Sequence, residues 1–255
     1  MRHWQANAFQ IKFFMAMLMV LDHLDYIPHA IPPLWAGIFH ALTRCVGVWF
    51  AFMAVEGFLH TRNQLRYNCR LFVWAAMMFA GNHFLQILLA AKDIRINNNI
   101  FLTLAVGVLL LNLLTHSIKV FGTPEPALVK WMRRLLALGV FIIGLVGTEG
   151  GMIVLPFMGI TFFFRQHLLL RNVLYVVFAV LLAVPSLCSA FSYQEPAVII
   201  DMILFNSDWM FISVLLFLYL YNGERGKKTV FTKYFFYVFY PLHLWVIAVI
   251  GYVVA

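Results

Sequence analysis

Long apolar runs, broken by short polar stretches, organise this chain. A membrane-crossing helix needs roughly 20 mostly apolar residues, and about nine runs approach that length. They lie near residues 9–27, 34–59, 68–91, 99–116, 133–148, 150–164, 171–190, 208–222 and 232–254. The fifth and sixth are short and meet at Glu149-Gly150-Gly151, which reads as a tight turn. The segment 196–206 is apolar but too short to span, and fits a re-entrant piece. No internal repeat and no low-complexity linker interrupts the pattern. The expectation is an all-α, polytopic integral membrane bundle of about nine (eight to ten) helices, forming a single domain over residues 1–255.

Composition agrees with lipid as the main solvent. Apolar residues make up 64% of the chain and charged residues 11%, where a soluble domain carries about 25% charged residues. Cys45, Cys69 and Cys188 sit in apolar runs without metal-ligand spacing, so neither a metal site nor a disulfide framework is expected. Arg2 and Lys12 precede the first run as in a signal peptide. The following DHLDYIPHAIPP offers no small-residue cleavage site, so the segment reads as a retained helix.

Charge then orients the bundle. With the N-terminus cytoplasmic, the inner loops collect Arg2, Arg62, Arg66, Arg70, Lys119, Lys130, Arg133, Arg134, Arg165, Arg171, Arg225, Lys227, Lys228 and Lys233. The outer loops hold only Lys92 and Arg95, while Asp25, Asp93, Glu149, Glu195, Asp201 and Asp208 fall on or near outer ends. An odd number of spans places the C-terminus outside. Attraction to anionic lipid headgroups accounts for most of the net charge of +8, so no nucleic-acid partner is expected. No loop exceeds about 18 residues, which leaves chemistry, if any, to the helices themselves.

Ionisable groups inside the runs are therefore the candidates for function. In KFFMAMLMVLDH (residues 12–23), nine apolar residues are bracketed by Lys12 and by Asp22-His23. Lys12 and His23 are eleven positions apart, about 20° from three whole turns and roughly 16 Å along the axis. They share a stripe with Met19, and Asp22 lies about a quarter turn away. Such a track suits a substrate that reaches across the membrane. A structural reading stands beside it: Lys12 snorkels to the inner headgroups, and Asp22 and His23 simply end the helix. Arg44 lies well inside the second run and needs a partner, for which Asp22 has a suitable depth. Glu56 closes that run near His60 and Arg62. Asn97, Asn98 and Asn99 open the fourth run, and Glu149 occupies the outer turn. His243 lies mid-span in FYPLHL, where Pro241 removes a backbone donor and kinks the helix.

These residues carry a resemblance. QIKFFMAMLMVLDHLDY resembles the first helix of the TraX family of membrane proteins, in which a lysine begins an apolar run ending in Asp-His. Arg44, VEGFLHTRN (55–63), Arg70-Leu71, NIFLTLAVG (99–107) and FYPLHL (239–244) follow in the family's order. The chain departs from the pattern at CVGVWFAF after Arg44 and at the turn TEGG. Founding members of the family N-acetylate the first residue of pilin in plasmid transfer (conjugation). The family is also similar to the acyltransferase-3 group, in which a basic residue precedes a histidine by the spacing of Lys12 and His23.

The resemblance implies an acetyl-CoA-dependent O- or N-acetyltransferase of the bacterial cytoplasmic membrane. Its acceptor would be a pilin-like peptide or a cell-envelope glycan. Acetyl-CoA would enter from the basic inner face, with Lys12 and either Arg62 or Arg70 holding its phosphates. His23 would act as general base, or carry a transient acetyl group, with Asp22 orienting or balancing it. Arg44, His243 or an asparagine such as Asn99 would stabilise the oxyanion, and Glu149 is a further substrate-side candidate. Two other classes remain open: a transporter or flippase, and a non-catalytic membrane assembly factor.

Overall fold

A computed structural model describes residues 5–92, 96–116, 125–227 and 229–255. Arg2, Asp93, Arg95, Lys119 and Lys228, used above to orient the chain, lie outside the described residues. Helix dominates the described residues, and no strand is present among them. In chain order the helices are α1 (Ala8–Asp22), α2 (Pro33–His60), α3 (Gln64–Leu88), α4 (Ile100–Thr115) and α5 (Ala127–Gly147). They continue with α6 (Gly151–Phe163), α7 (Leu168–Ala190), α8 (Pro196–Phe205), α9 (Val214–Leu220) and α10 (Val230–Val254).

The expected count of about nine spans is not met among the described residues. Four helices, α2, α3, α7 and α10, are long and apolar enough to cross a membrane. A fifth arises if α8 and the 3-10 turn Ser207–Ser213 with α9 form one broken span, bent by 56°. The other runs do form helices, but shorter or more charged ones. Helix α1 has 15 residues, α4 has 16 and α6 has 13, each below the roughly 20 needed for a full span. The first run shortens because the chain leaves helical geometry at His23, enters a 3-10 turn (Leu24–Tyr26) and then meets Pro28, Pro32 and Pro33. Helix α5 is 21 residues long but carries Lys130, Arg133 and Arg134 in its first turns. The run at 208–222 is not one α-helix but a 3-10 turn followed by the short α9. Large apolar side chains nonetheless face outward on most helices, with Val146 and Leu169 each 81% exposed. A surface of this kind fits lipid better than water.

The chain divides into two compact units. The first contains 1–50, 80–97 and 164–255, and the second 51–79 and 98–163.

In the first unit, α1 and α10 lie side by side and run parallel. Phe9 and Phe13 meet Phe235 at one end, and the carbonyl of Tyr26 reaches Gly251 at the other. Asn7 caps α1 by accepting from the Gln10 amide, and Gln10 returns the bond to the Asn7 amide. Just before this cap, Ala6 pairs with residues 220 and 222, tying the start of α1 to the end of α9. Trp245 of α10 donates to Asn82 of α3 at 2.9 Å. The close approach of the indole is possible only because position 81 is glycine.

In the second unit, α4, α5 and α6 pack on one another through Leu110, Ala137 and Leu155. Gly107 accommodates Met158, and Gly144 accommodates Leu155. An apolar cavity of about 350 Å³ lies among these helices, with Arg134 on its wall and none of the candidate residues around it.

A methyl group at Gly81 would overlap the Trp245 ring. Gly81→Ala is expected to destabilise the protein by about 1–3 kcal/mol, the usual cost of overpacking. Thermal unfolding in detergent, against Gly139→Ala, where a Cβ meets nothing, is the check.

Candidate active site

The last turn of α1 places two of the expected groups. Asp22 ends the helix and His23 caps it. The His23 amide bonds back to Val20, a tighter pattern than the α-helical one, so the Met19 carbonyl lacks its usual amide partner. His23 Nδ1 fills that vacancy at 2.7 Å. A carbonyl only accepts, so Nδ1 carries the proton and Nε2 keeps the lone pair. The ring is buried, at 7% exposure.

Asp22 faces the first half of α2. Thr43 Oγ1 donates to its Oδ1 at 2.7 Å, and Arg44 Nη2 donates to the two oxygens at 3.3 and 3.2 Å. His40 Nδ1 lies 3.5 Å from Oδ1. Residues 40, 43 and 44 fall together on one helix face by their spacing of three and four. The Arg44 guanidinium meets partners on all three nitrogens. Its Nε donates to the His40 carbonyl at 2.9 Å, Nη2 also approaches His40 Nδ1 at 3.1 Å, and Nη1 lies 3.5 Å from Asp208. Asp208 belongs to the 3-10 turn after α8. The arginine thus holds two carboxylates from segments far apart in sequence.

His243 comes from α10, which continues through Pro241. Its ring stands edge-on to His23, with centroids 5.4 Å apart. Its Nδ1 lies 3.0 Å from the Phe239 carbonyl, so it too is protonated on Nδ1 and presents a lone pair at Nε2. That Nε2 is buried without a hydrogen-bond partner among the described residues. Phe239 stacks on the same ring with centroids 5.1 Å apart.

Lys12, near the other end of α1, also faces α10. Its ammonium sits 5.7 Å from the centre of the Phe236 ring, and no carboxylate pairs with it among the described residues. Phe236 and His243 are seven positions apart on α10, so Lys12 and His23 look onto one face of that helix. Arg225 is close enough for its charge to repel that of Lys12. Beside it an open depression is lined by Asn7, Glu224, Arg225, Gly226 and Lys227.

The remaining candidates belong to the second unit. Asn99 caps α4, accepting from the Leu102 amide at 3.2 Å while donating to the Ala75 carbonyl at 2.9 Å. Glu149 accepts from Asn98 at 2.9 Å, and its carbonyl accepts from Thr103 at 2.7 Å. Glu149 therefore helps to close the turn between α5 and α6 onto the start of α4, while Asn99 ties that start to α3. Arg62 is exposed in the turn after α2, and Arg70 lies over the Tyr67 ring at 5.3 Å. Glu56 pairs with His60 at 3.6 Å.

In the first unit, then, the structure joins Asp22, His23, Arg44 and His243, with Lys12 further along the same helix. Reading the sequence did not single out His40, Thr43 or Arg225 for the site, and took Asp208 only as an outer-end acid. The i, i+3, i+4 spacing of His40, Thr43 and Arg44 was the available signal for the first two.

Helices dominate the described residues, and four of them, or up to five, are long and apolar enough to cross a membrane. Among them a carboxylate–guanidinium network adjoins a pair of imidazoles. The sequence profile described as "TraX protein" matches residues 8–251, and the chain belongs to the TraX family. No curated protein and no solved structure matches it.

Asp22 and Arg44 are each about four-fifths buried, so removing one leaves the other poorly compensated. Arg44→Met is expected to cost about 1–3 kcal/mol, and adding Asp22→Asn should recover most of that loss. A double-mutant cycle of thermal stability in detergent measures the coupling. Simple additivity of the two substitutions would show that the pair contributes nothing.

Proposed function

We propose that this chain is a multi-pass protein of the bacterial cytoplasmic membrane that transfers an acetyl group from acetyl-CoA to an acceptor at the membrane. The acceptor class is a pilin-like peptide N-terminus or an envelope polymer. One observation carries the reading: His23 is buried with its Nδ1 proton committed to the Met19 carbonyl, which leaves Nε2 as a base or nucleophile. Asp22, adjoining it, is the negative charge that balances a proton on the ring. Family membership supports the same direction.

Lys12 lies on the same face of α1, with Arg225 and Lys227 near the start of that helix. These three cations, with Glu224 as the acid in the same depression, suit the phosphates of a nucleotide-bearing acyl donor. The thioester then extends along α1 toward His23, and Nε2 assists attack on its carbonyl. The N-terminus lies on the cytoplasmic side, where acetyl-CoA is available. Because α1 and α10 run parallel, the C-terminus lies on the opposite side. A transporter is the second reading, favoured by the 56° break before Ser207–Leu220, because broken helices line many substrate paths.

Purified protein in nanodiscs is expected to release free CoA from acetyl-CoA, and His23→Ala to reduce that rate by about 100-fold or more. Equal rates in a folded variant would remove His23 from the chemistry. Absence of both CoA release and acetyl-CoA binding in the wild type would favour transport or assembly. Lys12→Ala is expected to raise KM for acetyl-CoA by roughly tenfold while changing kcat little, the signature of a lost phosphate contact. A fall in kcat with unchanged KM would place Lys12 elsewhere in the cycle.

A further inference from the structure

His243 has an unexplained buried acceptor. Its Nδ1 is spent on the Phe239 carbonyl, its ring stacks on Phe239 and meets His23 edge-on, and its Nε2 has no hydrogen-bond partner among the described residues. A phenylalanine or leucine would fill the same space without leaving a polar atom unsatisfied, so packing alone does not account for an imidazole here. The tautomer also excludes one role. With the lone pair at Nε2, neutral His243 accepts a hydrogen bond there and cannot donate one to an oxyanion.

His23 has the same arrangement, with Nδ1 bound to a backbone carbonyl and the lone pair on Nε2. Two imidazoles in ring contact, both presenting lone pairs, cannot hydrogen-bond to each other through those atoms. They can act in succession on a group placed against them. A single imidazole cannot hold an acetyl group on Nε2 and accept a proton at that same atom, and the Nδ1 of His23 is already engaged.

On the acetyltransferase reading above, we infer that His243 is a second catalytic residue, the base that completes transfer from an acetylated His23. First, the His23 Nε2 lone pair attacks the thioester carbonyl. The carbon–sulfur bond breaks, and CoA leaves as the thiolate. The acceptor's N–H or O–H group then attacks the acetyl carbon. The carbon–nitrogen bond to His23 breaks, and its electron pair returns to Nε2. The proton lost by the acceptor passes to His243 Nε2 and finally to the CoA thiolate. The sum is acetyl-CoA plus acceptor giving acetylated acceptor plus CoA, with both histidines restored.

The test uses the full chain in nanodiscs with acetyl-CoA alone, water serving as the acceptor. His243→Asn keeps a side-chain donor for the Phe239 carbonyl but has nothing at the Nε2 position. It is expected to release about one CoA per protein and then slow by about 100-fold relative to wild type. Rapid quenching and peptide mass analysis should find an acetyl group on His23. In His243→Gly, added imidazole should restore steady turnover by taking the proton in place of the missing ring, an effect that loss of packing would not produce.

Wild-type rates in His243→Asn would overturn the proposal. So would the absence of acetyl-His23 in the variant while the wild type turns over, because His23 would then act without carrying the acetyl group. Absence of both CoA release and acetyl-CoA binding in every protein, wild type included, would instead remove the acetyltransferase reading on which the proposal rests.

Discussion

A carboxylate and a guanidinium that are both largely withdrawn from solvent set the terms for the first unit. Asp22 ends α1, and Arg44 lies two turns or more inside α2. Neither charge is tolerable alone at that burial, so each fixes the position of the other. Thr43 and His40 complete the shell around Asp22, and Asp208 supplies a second anion to Arg44. One ionic cluster therefore ties the end of α1 to α2 and to the 3-10 turn after α8. His23 is the next residue after Asp22, so the cluster also determines where its ring lies.

Helix positions were legible wherever an apolar run was bounded by polar residues on both sides. The second run was expected at 34–59 and forms α2 at Pro33–His60, and the last was expected at 232–254 and forms α10 at Val230–Val254. The start of α5 was missed by several residues because Lys130, Arg133 and Arg134 dilute its first turns, although helix geometry tolerates them well. Span length was harder to read than helix location. A hydropathy run continues across His23 and the 3-10 turn because Leu24, Tyr26 and Ile27 are apolar, whereas the backbone has already left the α-helix. Apolar composition reports the solvent of a segment, not the continuity of its hydrogen bonds.

The site was partly legible for a related reason. Arg44 within an apolar run demanded a counter-charge, and Asp22 was the acid at a matching depth. Asn99 before an apolar run equally well describes a helix cap, and that local bonding is the one found. The contact between His23 and His243 has no such local signal. They are brought together by the parallel packing of α1 and α10, which rests on Phe9, Phe13, Phe235 and Gly251. Pairing of helices across nearly the whole chain leaves no spacing pattern in the residues themselves.

The electrostatics of the cluster bear on what the imidazoles can do. Asp22, Arg44 and Asp208 together carry one net negative charge when ionised. The candidate donors for a developing oxyanion already have partners: Arg44 is engaged by His40, Asp22 and Asp208, and both histidines spend their Nδ1 protons on backbone carbonyls. A site with net negative charge and two buried imidazole lone pairs is poorly suited to hold negative charge in its resting form. It is well suited to receive a proton, because an imidazolium beside Asp22 neutralises the excess charge. An imidazolium formed there would also supply a hydrogen-bond donor at Nε2, which the neutral tautomers lack.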